Sequence, residues 1–417
     1  MRARVRPLVL LLSLLVPSIA CADDWPQWRG PQRDGISKET GLLQEWKPEG
    51  PALLWQVKDA GEGYSTPAVV GNRLYLLASR GVNDEFVVAR DTKSGEIVWS
   101  QRIGAVGNPD QRPAYPGARS TPTVEGDVLY ALGSDGDLAC VGTAKGDVRW
   151  QKNLRREFGG MPGKWAYAES PLIDGETLIC SPGGAEATMV ALNKKSGEVI
   201  WKSAVKGGDA AGYASPIVVE AEGLKQYVNL LGNGLVGVDA ANGAFLWRYD
   251  RTAKGSPANM ATPLARNGHV YSAAPRTGGA LVKIVKDGAA FAAQEVYFDN
   301  KLPTAIGGSV LVGEQIYGTG QVLICADFMT GTVRWTERGI GTGSVLFSDG
   351  LLYVHGENGD VALVEATPDG YRERGRFTPP EQPGRGNSKA WAYPVVADGR
   401  LYIRDWTSLW CFDVRSK

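Results

Sequence analysis

From residue 65 onward the chain runs through a recurring cycle of apolar and polar positions. A small polar residue and a proline or valine open each cycle: Ser65-Thr66-Pro67, Ser120-Thr121-Pro122, Ser170-Pro171, Ser215-Pro216, Thr262-Pro263, Ser309-Val310, Ser344-Val345 and Tyr393-Pro394. Several openings lead into an apolar run that ends in tyrosine, as at Leu74-Tyr75, Leu129-Tyr130, Val270-Tyr271, Ile316-Tyr317, Leu352-Tyr353 and Leu401-Tyr402. Short apolar or alternating runs bounded by turn residues predict strands. A proline that cannot donate to a ladder suits the start of an innermost strand whose free side faces a channel. Pro67 and Pro394 lie 327 residues apart, about 47 per step over seven steps, so eight openings predict eight blades of a β-propeller.

A second mark sits later in each cycle. Ala89, Asp91, Ser94, Gly95 and Trp99 occupy positions 1, 3, 6, 7 and 11 of a unit. The spacing recurs as Ala191, Asn193, Ser196, Gly197, Trp201, as Gly237, Asp239, Asn242, Gly243, Trp247, and as Cys325, Asp327, Thr330, Gly331, Trp335. Cys140, Gly142, Gly146 and Trp150 form a degraded copy, and a further copy near Tyr297 has lost its Trp. The Asp or Asn side chain can accept from backbone amides two residues on, and the Gly supplies the positive φ of a hairpin turn. Each Trp (99, 150, 201, 247, 335) then leads out on the outer strand, and it is expected to dock against the neighbouring blade where the small first residue leaves room. The last unit stops at Cys411-Phe412-Asp413 without its Trp, and Trp55 in Leu53-Leu54-Trp55-Gln56-Val57 supplies it. The prediction is an all-β, eight-bladed propeller over residues 51–417, with this N-terminal strand paired to the segment Leu409 to Val414 to close the ring.

Residues 1–22 read as a signal peptide: Arg2, Arg4 and Arg6 precede the apolar run Leu8 to Val16 and the Ala20-Cys21-Ala22 cleavage pattern. Export to the periplasm or beyond is the expectation; lipid anchoring through Cys21 is a rival that Ser18 disfavours. Residues 23–50 lack strand periodicity and are read as irregular, with Trp25 and Trp28 anchoring either a packed strap or a partner-docking arm. A polar, turn-rich stretch from Thr378 to Lys389 is expected to be a mobile surface connection. No later run reaches the length of a membrane-spanning helix.

Composition narrows the chemistry. The chain has 417 residues and balances 45 Lys+Arg against 45 Asp+Glu, which argues against a nucleic-acid partner. Glycine at 54 fits the many turns. With two histidines, zinc sites and Ser-His-Asp triads lack material, so His269 and His355 are expected to be structural. Cys140, Cys180, Cys325 and Cys411 make no C-x-x-C pair; Cys140, Cys325 and Cys411 fill the small first position of the unit, and pairing of Cys140 with Cys180 stays open.

The repeated A-x-D-x-x-[ST]-G-x-x-x-W unit resembles the tryptophan-docking motif of pyrroloquinoline quinone (PQQ) quinoproteins and their cofactor-free, BamB-type relatives, over essentially Leu53 to Val414. The opening Asp24-Trp25-Pro26-Gln27-Trp28-Arg29-Gly30-Pro31 is similar to the start of many exported bacterial PQQ-like repeat proteins. The resemblance implies one of two functions. The first is a non-catalytic binding or interaction scaffold that engages other envelope proteins or a small ligand in the channel mouth, acts as a monomer, and needs neither a cofactor nor a metal. The alternative is a PQQ- and calcium-dependent dehydrogenase oxidising an alcohol or sugar, although the chain lacks the adjacent Cys-Cys pair and the insertions of such enzymes. Loops entering the inner strands supply the candidate ligand-binding residues Tyr64, Arg119, Trp165, Tyr167, Glu169, Tyr213, Asn259, Trp391 and Tyr393, with Glu62 and Asp209 beside them. Under the quinone alternative Arg119 would pair with a carboxylate, and Glu169 and Asn259 would hold calcium. In the bland reading these groups bond one another and seal the channel with ordered water. A third reading, binding or processing of a polysaccharide on the aromatic funnel, would need a close carboxylate pair to be catalytic. No residue is assigned a catalytic role.

Overall fold

The eleven-residue unit folds as a self-closed turn. Asp91 Oδ1 accepts from the amides of Lys93 (2.8 Å) and Ser94 (3.1 Å), and the Gly95 amide donates to the Asp91 carbonyl (2.9 Å). Gly95 takes φ +75°, which a side chain would resist. Asn193 and Asp327 close their turns with the same bonds.

The computed structural model describes residues 24–107, 117–304, 306 and 308–416; the expected signal peptide lies outside the described residues. They form eight four-stranded antiparallel sheets arranged as the blades of a propeller. Blade 1 comprises Ala68–Val70, Arg73–Arg80, Asp84–Asp91 and Ile97–Gly104, and blades 2 to 7 repeat the plan, beginning at Thr123, Leu172, Ile217, Leu264, Val310 and Gly343. Blade 8 takes three strands from the C-terminus (Val395–Ala397, Arg400–Asp405, Ser408–Asp413) and its outer strand, Ala52–Val57, from the N-terminal side. Trp55 lies opposite Cys411 in that pairing, which removes the open edge.

The tryptophans link consecutive blades. Trp55 donates its indole N–H to the Thr92 carbonyl of blade 1 (2.9 Å), Trp99 to Thr143 of blade 2 (2.8 Å), Trp150 to Lys194 (3.0 Å), Trp201 to Ala240 (3.2 Å) and Trp335 to Thr367 (2.8 Å). Tyr297 takes the place of the lost Trp, donating to the Phe328 carbonyl. The room comes from the turn glycine of the next blade: a Cβ on Gly95 would stand 2.7 Å from the Trp55 ring, and one on Gly146 2.7 Å from Trp99. The small first residue of the unit instead lies opposite its own blade's Trp, as Ala89 does to Trp99.

Trp247 departs from the expected docking. It bonds Gln226 of its own blade (2.6 Å) and packs on Gly237. The reason is the next blade, whose long hairpin of Gly278–Asp287 and Ala290–Asp299 carries no motif glycine to receive the ring. The stretch from Thr378 to Lys389, expected to be a surface connection, makes bonds to blade 8. Arg385 bonds Asp405 of blade 8, and the Pro380 carbonyl accepts from Trp410 (3.0 Å). All four described cysteines are buried free thiols, so Cys140 and Cys180 do not pair. No helix among the described residues is long and apolar enough to cross a membrane.

Candidate functional site

The segment before the blades is a strap laid across the central channel. Trp25 is buried and exchanges backbone hydrogen bonds with Val69, and the Pro26 carbonyl accepts from Val124 (2.8 Å). Trp28 donates to Thr262 Oγ1 (2.9 Å), and Arg29 donates to the carbonyls of Asp34 (2.9 Å) and Ser309. Arg33 donates to Pro171 (3.1 Å) and Ser170 (2.9 Å). Beyond it, Ser37 bonds Phe347 (2.8 Å) and Leu43 bonds Val414 (2.7 Å). Seven of the eight blades are tied by this one segment. Buried arginines are costly to charge, and burial lowers Arg33 to about 10 against the opposing charge of Glu169.

The strap divides the channel. On one side a cavity of about 460 Å³ lies between strap residues Gln27 to Ile36 and the inner strands of blades 3 to 6. On the other, a funnel of about 280 Å³ has Trp28 in its lining, with Tyr64, Arg119, Trp165, Tyr213 and Trp391 contributed by the loops that lead into the inner strands. Met260, Pro275 and Ile306 complete the apolar wall. The aromatic rings brace one another: Tyr64 lies 5.1 Å from Trp391 and 5.6 Å from Trp406, Trp165 lies 5.8 Å from Tyr213, and Trp28 meets Tyr393 edge-on at 4.9 Å. Arg119 sits 5.4 Å from the Tyr64 centroid and donates to the Gly117 carbonyl (2.9 Å). Burial holds its guanidinium below the usual arginine value and holds the Tyr213 phenol above the usual tyrosine value.

Five of the nine expected mouth residues, Tyr64, Arg119, Trp165, Tyr213 and Trp391, line this funnel. The other four do not. Tyr167 is buried and donates to the Pro182 carbonyl (2.8 Å). Tyr393 is buried beneath Trp28, and its hydroxyl donates to Gly308 (3.0 Å). Glu169 accepts from the Ser181 amide (2.6 Å) and Asn229 Nδ2 (3.1 Å); burial pushes it up to about 7, against the pull of Arg33. Asn259 turns its amide N–H groups to the carbonyls of Leu231 (2.7 Å) and Gly232 (2.9 Å). Glu169 and Asn259 thus bond different neighbours, and neither is among the residues that line the funnel. Among the described residues no group of three His, Cys, Asp or Glu side chains could hold a metal ion. Glu62 pairs its backbone with Ser79, and Asp209 meets Arg248 (3.3 Å), so neither enters the funnel lining.

Two features lay outside sequence reasoning. Glu85, fully buried and raised to about 7 by that burial, accepts from the Ser134 amide (2.6 Å) and lies close enough to Arg119 to feel its charge. The second is a groove of about 760 Å³ at blades 5 to 7, which shares Met260, Pro275 and Ile306 with the funnel. It is lined in addition by Arg276, Asn300, Lys301, Gln321 and Glu357. A sharp signal for either is lacking, because both depend on loops from blades far apart in the chain.

A family model described as outer membrane protein assembly factor BamB matches residues 36–165 and 83–337 of the chain. The assembly factor BamB of Moranella endobia is 27% identical over 124 residues, 28% of this chain and 31% of that protein. The chain therefore matches about a third of the length of such relatives. Tetrathionate hydrolase of Acidithiobacillus ferrooxidans is 23% identical over 80% of this chain and 72% of its own. Among solved structures, BamB of Moraxella catarrhalis superposes with a TM-score of 0.59 at 15% identity, covering 88% of this chain and 98% of that one. Quinohemoprotein alcohol dehydrogenase of Comamonas testosteroni gives 0.53 at 14% identity, covering 94% and 81%. At these identities the structures speak for the propeller fold alone.

Proposed function

The chain belongs to the family described as outer membrane protein assembly factor BamB, and from that premise we propose that it is an exported, non-catalytic binding scaffold that engages envelope proteins or a small ligand at the aromatic mouth of its channel. The observation that supports this reading most is the funnel wall. Its described lining residues are aromatic or aliphatic, with Arg119 as the one charged group. A wall of that kind binds by stacking and by one cationic contact. Proton transfer during turnover needs a positioned acid or base, and the nearby carboxylates Glu85 and Glu169 are buried, bonded to Ser134 of the next blade and to Ser181 and Asn229.

The dehydrogenase alternative has one feature in its favour, flat aromatic walls beside a guanidinium, which suit a planar anion. The two readings part in one experiment: titration of the purified protein with PQQ and calcium, followed by absorbance, together with dye-linked oxidation of alcohols and sugars. The scaffold reading expects no saturable spectral change and no turnover. Saturable binding abolished by Arg119→Ala, with substrate-dependent dye reduction, would overturn it.

A further inference from the structure

The aromatic funnel is not an isolated pit. Met260, Pro275 and Ile306 line both it and the groove at blades 5 to 7, so the two spaces adjoin. The two spaces differ in chemistry. The funnel offers tryptophan and tyrosine faces. The groove offers uncharged hydroxyl and amide groups, among them Thr277, Asn300, Thr304 and Gln321, together with the cations Arg276 and Lys301. Neither cation makes an ion pair or side-chain hydrogen bond among the described residues, and the groove's one carboxylate, Glu357, accepts from Trp391 Nε1 (2.8 Å).

The backbone adds a separate observation. Arg276 stands in the turn between His269–Ala274 and Gly278–Asp287 with φ +67°, where glycine is the unstrained choice. Two more non-glycine residues in the left-handed region support the funnel rim: Ala166 (φ 69°) follows Trp165, and Trp406 (φ 54°) packs on Tyr64. Strained residues of this kind gather where a side chain must be presented to a ligand.

We propose that funnel and groove together bind an acidic oligosaccharide, with sugar rings stacked on Trp165 and Trp391 and a carboxylate of the chain held by Arg276 and Lys301. A pyranose ring has an apolar C–H face that packs on an indole and a hydroxyl rim that bonds amide and hydroxyl side chains, which are the two surfaces presented here. A peptide that added a strand would need a free strand edge, and turns and loops supply most of this groove. The combined space, about 280 Å³ and about 760 Å³, is that of a ligand of a few sugar units. The inference rests on the binding reading of the same funnel and specifies its ligand.

The test is a panel of uronic-acid oligosaccharides, matched neutral oligosaccharides, tri-glutamate and a proline-rich peptide, titrated into the whole protein and read by quenching of tryptophan fluorescence and by calorimetry. Saturable binding of uronic-acid oligomers, weakened by salt and weaker by about tenfold or more in Arg276→Glu and in Trp165→Ala, is expected. Arg276→Gly separates recognition from folding, since it relieves the strained turn: it should melt no lower than the parent and still lose affinity. Binding of neutral and acidic sugars alike, binding of the peptides alone, or no binding of any uronic-acid oligomer at millimolar concentration overturns the proposal. Those failures leave the scaffold reading in place. Cleavage or oxidation of a bound sugar, by contrast, would overturn the scaffold reading while sparing the ligand class.

Discussion

Replacing Trp55 by alanine tests the closure of the ring directly. Trp55 is 9% exposed, packs on the Gly95 turn of blade 1 and donates to the Thr92 carbonyl at 2.9 Å, while its strand pairs with Ser408–Asp413 of blade 8. A Trp side chain buries about 200 Å², and at about 25 cal/mol per Å² the transfer contribution is at most about 5 kcal/mol. Truncations of buried tryptophan cost about 3–5 kcal/mol, so Trp55→Ala is expected to lower unfolding stability by about 4 kcal/mol. Trp55→Phe keeps most of the stacking area and gives up one hydrogen bond, and about 1 kcal/mol is expected. The assay is urea unfolding combined with native-state hydrogen exchange. In Trp55→Ala, protection should fall first at residues 409–412, on the far side of the seam from the ring's docking turn. Trp99→Ala, which removes the matching contact between blades 1 and 2, should leave those amides protected. A cost below about 1 kcal/mol for Trp55→Ala, or equal loss of protection in both variants, would refute the view that this residue clasps the two ends of the chain.

Three further outcomes follow from the packing and the buried charges. Gly95→Ala places a methyl 2.7 Å from the Trp55 ring at a φ of +75°, whereas Gly71→Ala meets nothing within 4 Å at a φ of +55°; thermal melts should show the first costing about 2–4 kcal/mol and the second about 1. Arg404 is fully buried and donates to the carbonyls of Ser65 (2.8 Å), Leu77 (2.8 Å) and Gly61 (3.0 Å), so Arg404→Met, which strands all three, should cost about 3 kcal/mol or more by chemical denaturation. Glu85 and Glu169 are raised from 4.5 to about 7, so the folded protein keeps protons that the unfolded chain releases, and stability is lost as pH rises through about 7. The melting temperature should climb from pH 8 to pH 6, and the double variant Glu85→Gln/Glu169→Gln should flatten that climb. His355, lowered to about 4 by burial, acts in the opposite direction, removing stability as pH falls from 6.5 toward 4.

The ring was legible because its marks are local and periodic. An Asp or Asn, a Gly and a Trp at fixed spacing describe one turn and one docking contact, and eight strand openings about 47 residues apart leave little choice of architecture. Even the loss of a Trp near Tyr297 and the loan of Trp55 to the last blade could be read from position alone, whereas the docking of Tyr297 itself came from the structure. The site was legible only in part. Trp165, Tyr167 and Glu169 alternate in sequence as if they shared one side of an extended loop, but Ala166 adopts a left-handed conformation that turns Trp165 into the funnel and sends Tyr167 into the core between blades 2 and 3. Alanine carries no sign of that choice. Trp28 was recognised as an anchor, yet its place in the funnel lining depends on a strap without periodicity. Trp247 shows a signal that was present and unread: the following hairpin, Asp287-Gly288, lacks the turn that receives a ring, so the tryptophan had to find its partner at home.

The strap has a consequence for the order in which the molecule can assemble. Its residues bond partners from Val69, paired with Trp25, out to Ser416, 375 positions from Gly41, with Arg29 reaching Ser309 across 280. A ribosome makes the strap hundreds of residues before its last partners. Loop closure over such spans is slow, and non-local pairings lengthen folding times. While synthesis continues, Arg29 lacks Ser309, Ser37 lacks Phe347 and Leu43 lacks Val414, and the outer strand of the last blade waits with them. Full seating of the strap therefore has to await the last blades, and a chaperone that shields residues 24–57 until those blades are made would govern the yield of closed rings.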